Sequence, residues 1–281
     1  MGGIRWARVV GIACAVAALA AGGLVANAST APALTLLIPA YYPATGASRD
    51  PWRTVPRAAK ATGTRAIEIM NADNGPGTSI GVSDPTASGL AAYRTAIRQA
   101  HASGSSVFGY IWTNYANTGP GPTAPVAAIE SQINQWVTDY AHIDGIFFDG
   151  VSSEASEVGV YRTVDSYARA RGLRVIFNPG TIPSRAYMAI DRTAIVVDFE
   201  GSASAYLRTR FPSWTRTYRA TQFANIVYSA GNTQVPIIVA RARRQNVGNL
   251  FVTNLKLPNP YWLPPRYLRT AELPALASTR P

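Results

Sequence analysis

Two short apolar runs of this chain each end in a carboxylate that is followed by glycine. One run covers residues 143–148 and leads to Asp149, and the other covers residues 194–199 and leads to Glu200. Both have the length and the β-branched or aromatic content of a buried parallel strand. The carboxyl ends of such strands face the ligand crevice of an α/β sheet or barrel. Two carboxylates there, in a chain with only 2 histidines, predict acid and base catalysis on a sugar bond.

The same two acids also allow a structural interpretation, in which one or both cap a neighbouring helix or pair with an arginine. A third acid, Asp198, lies two residues before Glu200. We expect Asp198 to contribute to substrate binding and the other two acids to carry the chemistry.

Several other predicted strand ends carry amides or aromatic rings, which suits a carbohydrate site. Aromatic faces stack on the C–H face of a sugar ring, while amides bind its hydroxyls as donors and as acceptors. Ordinary core or rim packing is the alternative for any one of the aromatic residues. The candidate substrate-binding residues are Tyr41, Asn71, Tyr110, Trp112, Asn114, Tyr115, Asn178, Asp198 and Thr253.

Other kinds of catalytic site lack parts in this sequence. The histidines are His101 and His142, and His142 precedes the strand that leads to Asp149, at the opposite end from the acids. A zinc site and a Ser-His-Asp triad are therefore both incomplete. Residues 74–78 form a Gly/Pro loop without the lysine of a phosphate loop or the glycine spacing of a dinucleotide site. No metal and no cofactor are predicted.

Short apolar runs alternate with longer helical patterns along the chain, and this alternation predicts the fold. Eight such units predict an α/β protein with a single closed (β/α)₈ barrel, also called a TIM barrel. The last two units are short and ambiguous. The predicted strands cover residues 34–41, 65–71, 106–113, 144–149, 174–178, 193–200, 225–229 and 249–253, with helices over 52–61, 84–104, 125–140 and 154–171.

Residues 1–28 have the pattern of a secretory signal peptide. Arg5 and Arg8 precede an apolar, Ala/Gly-rich stretch that ends in the small-x-small sequence Ala-Asn-Ala at 26–28. We expect cleavage before Ser29, a barrel domain over residues 29–281, and a secreted protein that is extracellular or associated with the cell wall. An uncleaved membrane anchor is the alternative, although the stretch is short and weakly hydrophobic for a span. No later stretch is apolar enough to cross a membrane.

Cysteine content and charge narrow the function classes further. The single cysteine, Cys14, lies within the predicted signal, so the mature chain has no disulfide and no thiolate metal site. The net charge is +11, and apart from Lys60 and Lys256 all 26 basic residues are arginines. Because these arginines are spread along the chain, the charge favours loose association with an anionic cell wall over nucleic-acid binding. We expect a monomer.

Taken as a set, the motifs resemble the spherulin-4 family, also called spherulation-specific family 4. The barrel of that family includes exported endo-α-1,4-N-acetylgalactosaminidases. The order and the spacing of the motifs carry the resemblance through most of the predicted mature chain. The matching residues are 38–43, Asn71 with 75–77, 109–110 with 113–116, 143–149, 178–181, 199–200 and 252–253.

By this resemblance, Asp149 and Glu200 correspond to active-site acids of a glycoside hydrolase that cuts an N-acetylgalactosamine-type polysaccharide. The resemblance also favours a retaining mechanism, for which we expect Glu200 as acid/base, because of its longer side chain, and Asp149 as nucleophile. The family usually has Asp-Glu where this chain has Asp149 and Gly150. That departure keeps a second hypothesis open, a secreted carbohydrate-binding protein without turnover. Glu154 lies four residues further on and is a candidate replacement for the missing acid.

Overall fold

Eight parallel strands close into a barrel in which each strand pairs with its neighbours in chain order, and β8 pairs with β1. The structure is a computed structural model that describes residues 33–77, 87–120, 123–140 and 142–278. The predicted signal peptide, including Cys14, and the predicted helix start at Asp84 lie outside the described residues. The strands are β1 (Thr35–Ala40), β2 (Ala66–Met70), β3 (Ser106–Trp112), β4 (Gly145–Asp149), β5 (Arg174–Asn178), β6 (Ile195–Ser202), β7 (Phe223–Tyr228) and β8 (Asn249–Val252).

This topology confirms the predicted (β/α)₈ barrel, including its two ambiguous last strands. The predicted helix over 154–171 is shorter than expected, because the chain first makes a 3₁₀ turn at Ala155–Glu157. Among the described residues, no helix is both long and apolar enough to span a membrane. The α-helices around the barrel are Pro51–Ala61, Ala87–Ala102, Val126–Tyr140, Val158–Arg169, Ala203–Arg208, Val235–Arg244 and Leu273–Ala277, and short 3₁₀ or π turns occupy Arg185–Ala189, Ser213–Thr217, Ala220–Gln222, Asn232–Gln234 and Leu268–Glu272.

Alternation along the strands separates an inner face from an outer face that the helices cover. On β3, Tyr110 faces inward, where its ring stacks on Phe147 of β4 at 6.2 Å between centroids. On the outer face, the helix Val126–Tyr140 places the indole of Trp136 against Gly109, where a Cβ would lie 2.5 Å from the ring. The indole nitrogen donates to the backbone carbonyl of Tyr110 at 3.0 Å. Glycine at 109 therefore lets the helix approach β3 closely enough to fix Tyr110.

The register of the strands sets the first part of the site. Trp112 on β3 pairs with Asp149 on β4, and Asp149 pairs with Asn178 on β5. These residues end their strands, so their side chains lie side by side at the carboxyl-terminal mouth of the barrel, where (β/α)₈ enzymes carry their active sites.

Candidate active site

A single amide joins the two predicted catalytic acids. The side-chain nitrogen of Asn178 donates to Oδ1 of Asp149 at 2.8 Å and to Oε2 of Glu200 at 2.7 Å. The two carboxylate oxygens are therefore at most about 5.5 Å apart, the sum of those two distances. Carboxyl groups of retaining glycosidases are about 5–5.5 Å apart, whereas inverting enzymes separate them by about 6.5–9.5 Å. The structure brings the predicted pair together, and its upper bound of about 5.5 Å lies below the range of inverting enzymes.

Tyrosine hydroxyls occupy the other oxygen of each acid. Tyr110 donates to Oδ2 of Asp149 at 2.8 Å, and Tyr261 donates to Oε1 of Glu200. The ring of Tyr41 lies between those two tyrosines, with centroids at 5.5 Å and 5.4 Å and nearly perpendicular planes. Each carboxylate is thus held at both oxygens by neutral donors, and the three rings fix the donors in place.

Burial and mutual repulsion change the protonation of this pair. Desolvation, and after it the charge of Glu200, raise the pKa of Asp149 to about 7, although hydrogen bonds from Tyr110 and Asn178 oppose the rise. Burial and the nearby carboxylates also raise the pKa of Tyr110 and Tyr261 far above the usual tyrosine value, so both hydroxyls keep their protons. Below about pH 7, Asp149 is therefore mostly protonated.

The open side of the pair is a cleft of about 320 Å³. Trp112 and Tyr115 form an aromatic corner, with ring centroids 5.6 Å apart and planes nearly perpendicular. Tyr115 is 37% exposed at the rim. Tyr228 and Leu257 also line the cleft. Apolar rings beside paired acids and an amide suit a sugar, which offers both C–H faces and hydroxyls.

Gly150 is held by its surroundings to a residue without a side chain. Its φ is +58°, and a Cβ there would lie 2.5 Å from the indole of Trp112. In this chain the indole occupies the space in which a residue at 150 would begin its side chain. Glu154 is exposed, and its carboxylate accepts from the neighbouring Ser153 hydroxyl at 3.2 Å. The structure does not bring Glu154 into the pair.

Tyr115 belongs to a backbone turn of unusual conformation. The four residues Asn114–Asn117 all have positive φ, between 46° and 67°, in the left-handed region that L-residues adopt at a cost of about 1–2 kcal/mol each. The turn is tied to β4, because the Tyr115 amide donates to the carbonyl of Gly150 at 2.5 Å. Asn114 itself is buried. Strained backbone of this kind is typical of functional sites, and here it presents Tyr115 at the rim.

Asp198 lies away from the acid pair. A bulge in β6 shifts the register, so that Val197 pairs with Ala224 and Phe199 pairs with Asn225. The carboxylate of Asp198 accepts from the Asn225 amide at 2.7 Å, and burial raises its pKa to about 8. The extra residue of the bulge breaks the alternation that would otherwise place Asp198 and Glu200 on one face. The structure therefore does not join Asp198 to the acid pair.

Two other predicted site residues hold loops. The side-chain oxygen of Asn71 accepts from the Gly75 amide at 3.1 Å, and the hydroxyl of Thr253 accepts from the Leu255 amide at 3.1 Å. Both residues follow their strands at the carboxyl-terminal mouth of the barrel, but these side-chain hydrogen bonds are made to their own loops.

Both histidines lie away from the carboxyl-terminal mouth of the barrel. His101 is within 2.7 Å of Asp144, one residue before β4. His142 is exposed and also precedes β4. As expected from the sequence, neither is near the acid pair.

Sequence reasoning missed Tyr261, Tyr228 and Leu257. Tyr261 lies in the long connection after β8, where the chain has no helical or strand periodicity. The only signal there was the aromatic pair Tyr261-Trp262 after a proline, which does not predict a contact with Glu200.

Comparison with known proteins identifies a family and a curated relative. Residues 35–271 match the spherulation-specific family 4. Spherulin-4 of Physarum polycephalum is 31% identical over 193 residues, which is 68% of this chain and 51% of that protein. The chain thus spans about half the length of that curated relative.

Solved structures share the fold. Aspergillus clavatus Sph3, solved in complex with GalNAc, has a TM-score of 0.68 at 18% identity, over 89% of this chain and 99% of that one. The pneumococcal virulence factor StrH, studied for N-glycan recognition and hydrolysis, has a TM-score of 0.51 at 11% identity, over 89% and 84%. At such identities these likenesses establish the barrel. With the match over residues 35–271, the chain belongs to spherulation-specific family 4.

Proposed function

We propose that this protein is a glycoside hydrolase that cuts within an N-acetylgalactosamine-type polysaccharide. The observation that carries the proposal is the pair formed by Asp149 and Glu200, bridged by Asn178 with oxygens at most about 5.5 Å apart. Glycosidic cleavage needs one protonated acid for the leaving oxygen and one carboxylate at the anomeric carbon. The pair supplies both groups when it holds one proton.

The protonation of the pair supports a specific assignment of roles. Asp149, whose pKa is raised to about 7, donates its proton to the leaving oxygen, and the Glu200 carboxylate attacks the anomeric carbon. The glycosyl–Glu200 ester is then hydrolysed by water, from which Asp149 takes a proton, so the anomeric configuration is retained. This assignment reverses the one expected from side-chain length alone. The reason is that burial and the charge of Glu200 raise the pKa of Asp149, which favours Asp149 as the acid.

The substrate class rests on the cleft and on the family. The aromatic corner of Trp112 and Tyr115 offers faces on which sugar rings stack, and a family-like barrel has been solved with GalNAc bound. Export is proposed from the signal-like residues 1–28. We also propose that the protein acts as a monomer and associates loosely with anionic polymers of the cell surface, since its net charge is +11.

A second candidate function is carbohydrate binding without turnover. Gly150 favours it, because this chain lacks the acid that the family usually carries there. Against it, both acids that the two-carboxylate mechanism requires are present, and their oxygens are at most about 5.5 Å apart.

Release of new reducing ends from N-acetylgalactosamine polymers tests the proposal. We expect turnover by the wild type, and a loss of at least about 10³-fold in D149N and E200Q, which keep shape but cannot supply a proton or a negative charge. Asp165→Asn is the matched control, since Asp165 is a buried acid of the helix Val158–Arg169. It should stay within about threefold of the wild type. Saturable polymer binding without new reducing ends would favour the binding protein instead.

A further inference from the structure

The amino-terminal mouth of the barrel, at the opposite end from the acid pair, contains a second cavity. It has a volume of about 330 Å³ and is lined by first residues of several strands, including Thr35 of β1, Ser106 of β3 and Asn249 of β8. The cavity therefore surrounds the barrel axis. Its position separates it completely from the cleft at the carboxyl-terminal mouth.

Four arginines line this cavity, and no carboxylate does. Arg65 precedes β2, Arg174 begins β5, Arg192 precedes β6 and Arg219 precedes β7. All four are exposed, so their guanidinium groups are open to a ligand from solvent. The guanidinium of Arg174 lies over the ring of Phe108 at 4.9 Å, which anchors one wall of the cavity.

Two acids next to this mouth along the chain, Asp144 and Asp191, already have partners. Asp144 is within 2.7 Å of His101 and accepts from the Val107 amide at 2.7 Å. Asp191 pairs with Arg169 and accepts from Thr193. Among the ion pairs of the described residues, none involves an arginine of the cavity. The positive charges that converge at this mouth thus remain available to an external anion.

We propose that this arginine-lined mouth binds polyvalent phosphate, either as a small phosphate compound or as part of a phosphate-containing polymer. This inference rests on the association with anionic polymers that we propose above, and it assigns that association to a specific site. The site does not depend on hydrolysis. Guanidinium groups bind phosphate through paired, charge-assisted hydrogen bonds. Four guanidinium groups around one cavity match the charge of a multiply charged anion better than they match that of a ligand with a single carboxylate. The hydroxyls of Thr35 and Ser106 and the amide of Asn249 add neutral polar groups to the lining.

The position of the cavity has a consequence for the whole molecule. Because the two mouths face opposite ends of the barrel, an anionic polymer held at one does not obstruct a sugar chain at the other. A protein bound in this way stays at an anionic surface while its cleft remains open to substrate.

Titration calorimetry of the full chain with sodium tripolyphosphate tests the site. The variant R65Q/R219Q removes two charges from the cavity, and R49Q/R162Q removes two from exposed positions outside its lining. We expect saturable binding near one equivalent by the wild type and by the control variant, and at least tenfold weaker binding by R65Q/R219Q. Thermal melts with and without tripolyphosphate should show the same order of stabilisation.

Inorganic phosphate and a phosphodiester-linked polymer, titrated in parallel, distinguish the two sources of the ligand. Binding of either one that is lost in R65Q/R219Q supports the site. Absence of saturable tripolyphosphate binding would overturn the proposal, as would equal weakening by both double variants, since that result reports net charge alone. Reducing-end release from a soluble, uncharged polymer should be the same in all three proteins, so failure of this site and failure of the hydrolase assignment are separate results.

Discussion

Replacing Asn178 by alanine tests the bridge between the two acids. The substitution removes the donor at 2.8 Å from Asp149 and at 2.7 Å from Glu200. A hydrogen bond to a charged group contributes about 1.5–3 kcal/mol and a neutral one about 1 kcal/mol. In the proposed mechanism Glu200 acts as a carboxylate and Asp149 as a protonated acid, so one bond of each kind is lost. The total of about 2.5–4 kcal/mol is an upper limit for the transition-state stabilisation that is lost, so we expect kcat/KM to fall by at least tenfold and by at most about 10²–10³-fold.

The pH profile gives a second readout of the same variant. Hydrolysis needs the proton on Asp149, so kcat/KM of the wild type should fall as the pH rises through about 7. The hydrogen bond from Asn178 lowers the pKa of Asp149. Its removal should therefore raise that pKa and move the alkaline fall of kcat/KM to higher pH.

Asn225 provides a matched control for Asn178. It is a fully buried asparagine on the next strand but one, where its amide donates to Asp198 and its oxygen accepts from Tyr206. N225A should lose stability in a thermal melt while kcat/KM stays within about threefold of the wild type. Near-wild-type kcat/KM in N178A, or an equal loss in both variants, would refute the role of the bridge.

Three further predictions concern Tyr261, Gly150 and Asp198. Tyr261→Phe removes the hydroxyl that donates to Glu200, so steady-state kinetics should show kcat/KM about 10–100-fold lower. Gly150→Glu places a Cβ against the indole of Trp112 at a φ of +58°, so denaturation should show an unfolding free energy lower by about 1–3 kcal/mol, without a gain in activity. A tenfold gain from a near-zero rate would mean that the missing acid is needed for hydrolysis, and would favour the binding protein. Burial raises the folded-state pKa of Asp198 to about 8, so the stability that its protonated form contributes is present at low pH and lost as the pH rises toward 8. In urea unfolding, the unfolding free energy of D198N relative to that of the wild type should therefore rise by at least about 1 kcal/mol from pH 4 to pH 8. A difference that stays constant with pH would contradict the burial argument.

The parts of the site that the sequence predicted are those fixed by strand ends. Asp149 and Asn178 each follow an apolar run, and neighbouring parallel strands of similar length end side by side. Their contact is a direct consequence of in-register pairing. The apolar periodicity that predicted the barrel thus also predicted which polar side chains share its mouth.

The features that the sequence did not predict depend on single insertions or on long connections. Strict alternation places Asp198 and Glu200 on one face, but the bulge at Val197/Phe199 removes that relation. Tyr261 reaches Glu200 from a connection without periodicity, and its partner is 61 residues away in the chain. The protonation of Asp149 depends on burial, and for that reason the roles that we propose differ from those expected from side-chain length.

The central claim, that Asp149 and Glu200 cleave a glycosidic bond together, is tested most directly by following the first anomer released. A time course of ¹H NMR spectra on an N-acetylgalactosamine oligomer of known linkage resolves the product before it mutarotates. Because the carboxylate oxygens are at most about 5.5 Å apart, we predict that the initial product keeps the anomeric configuration of the substrate, and that E200Q releases it at least about 10³-fold more slowly. Initial release of the opposite anomer, or release by E200Q at the wild-type rate, would contradict it.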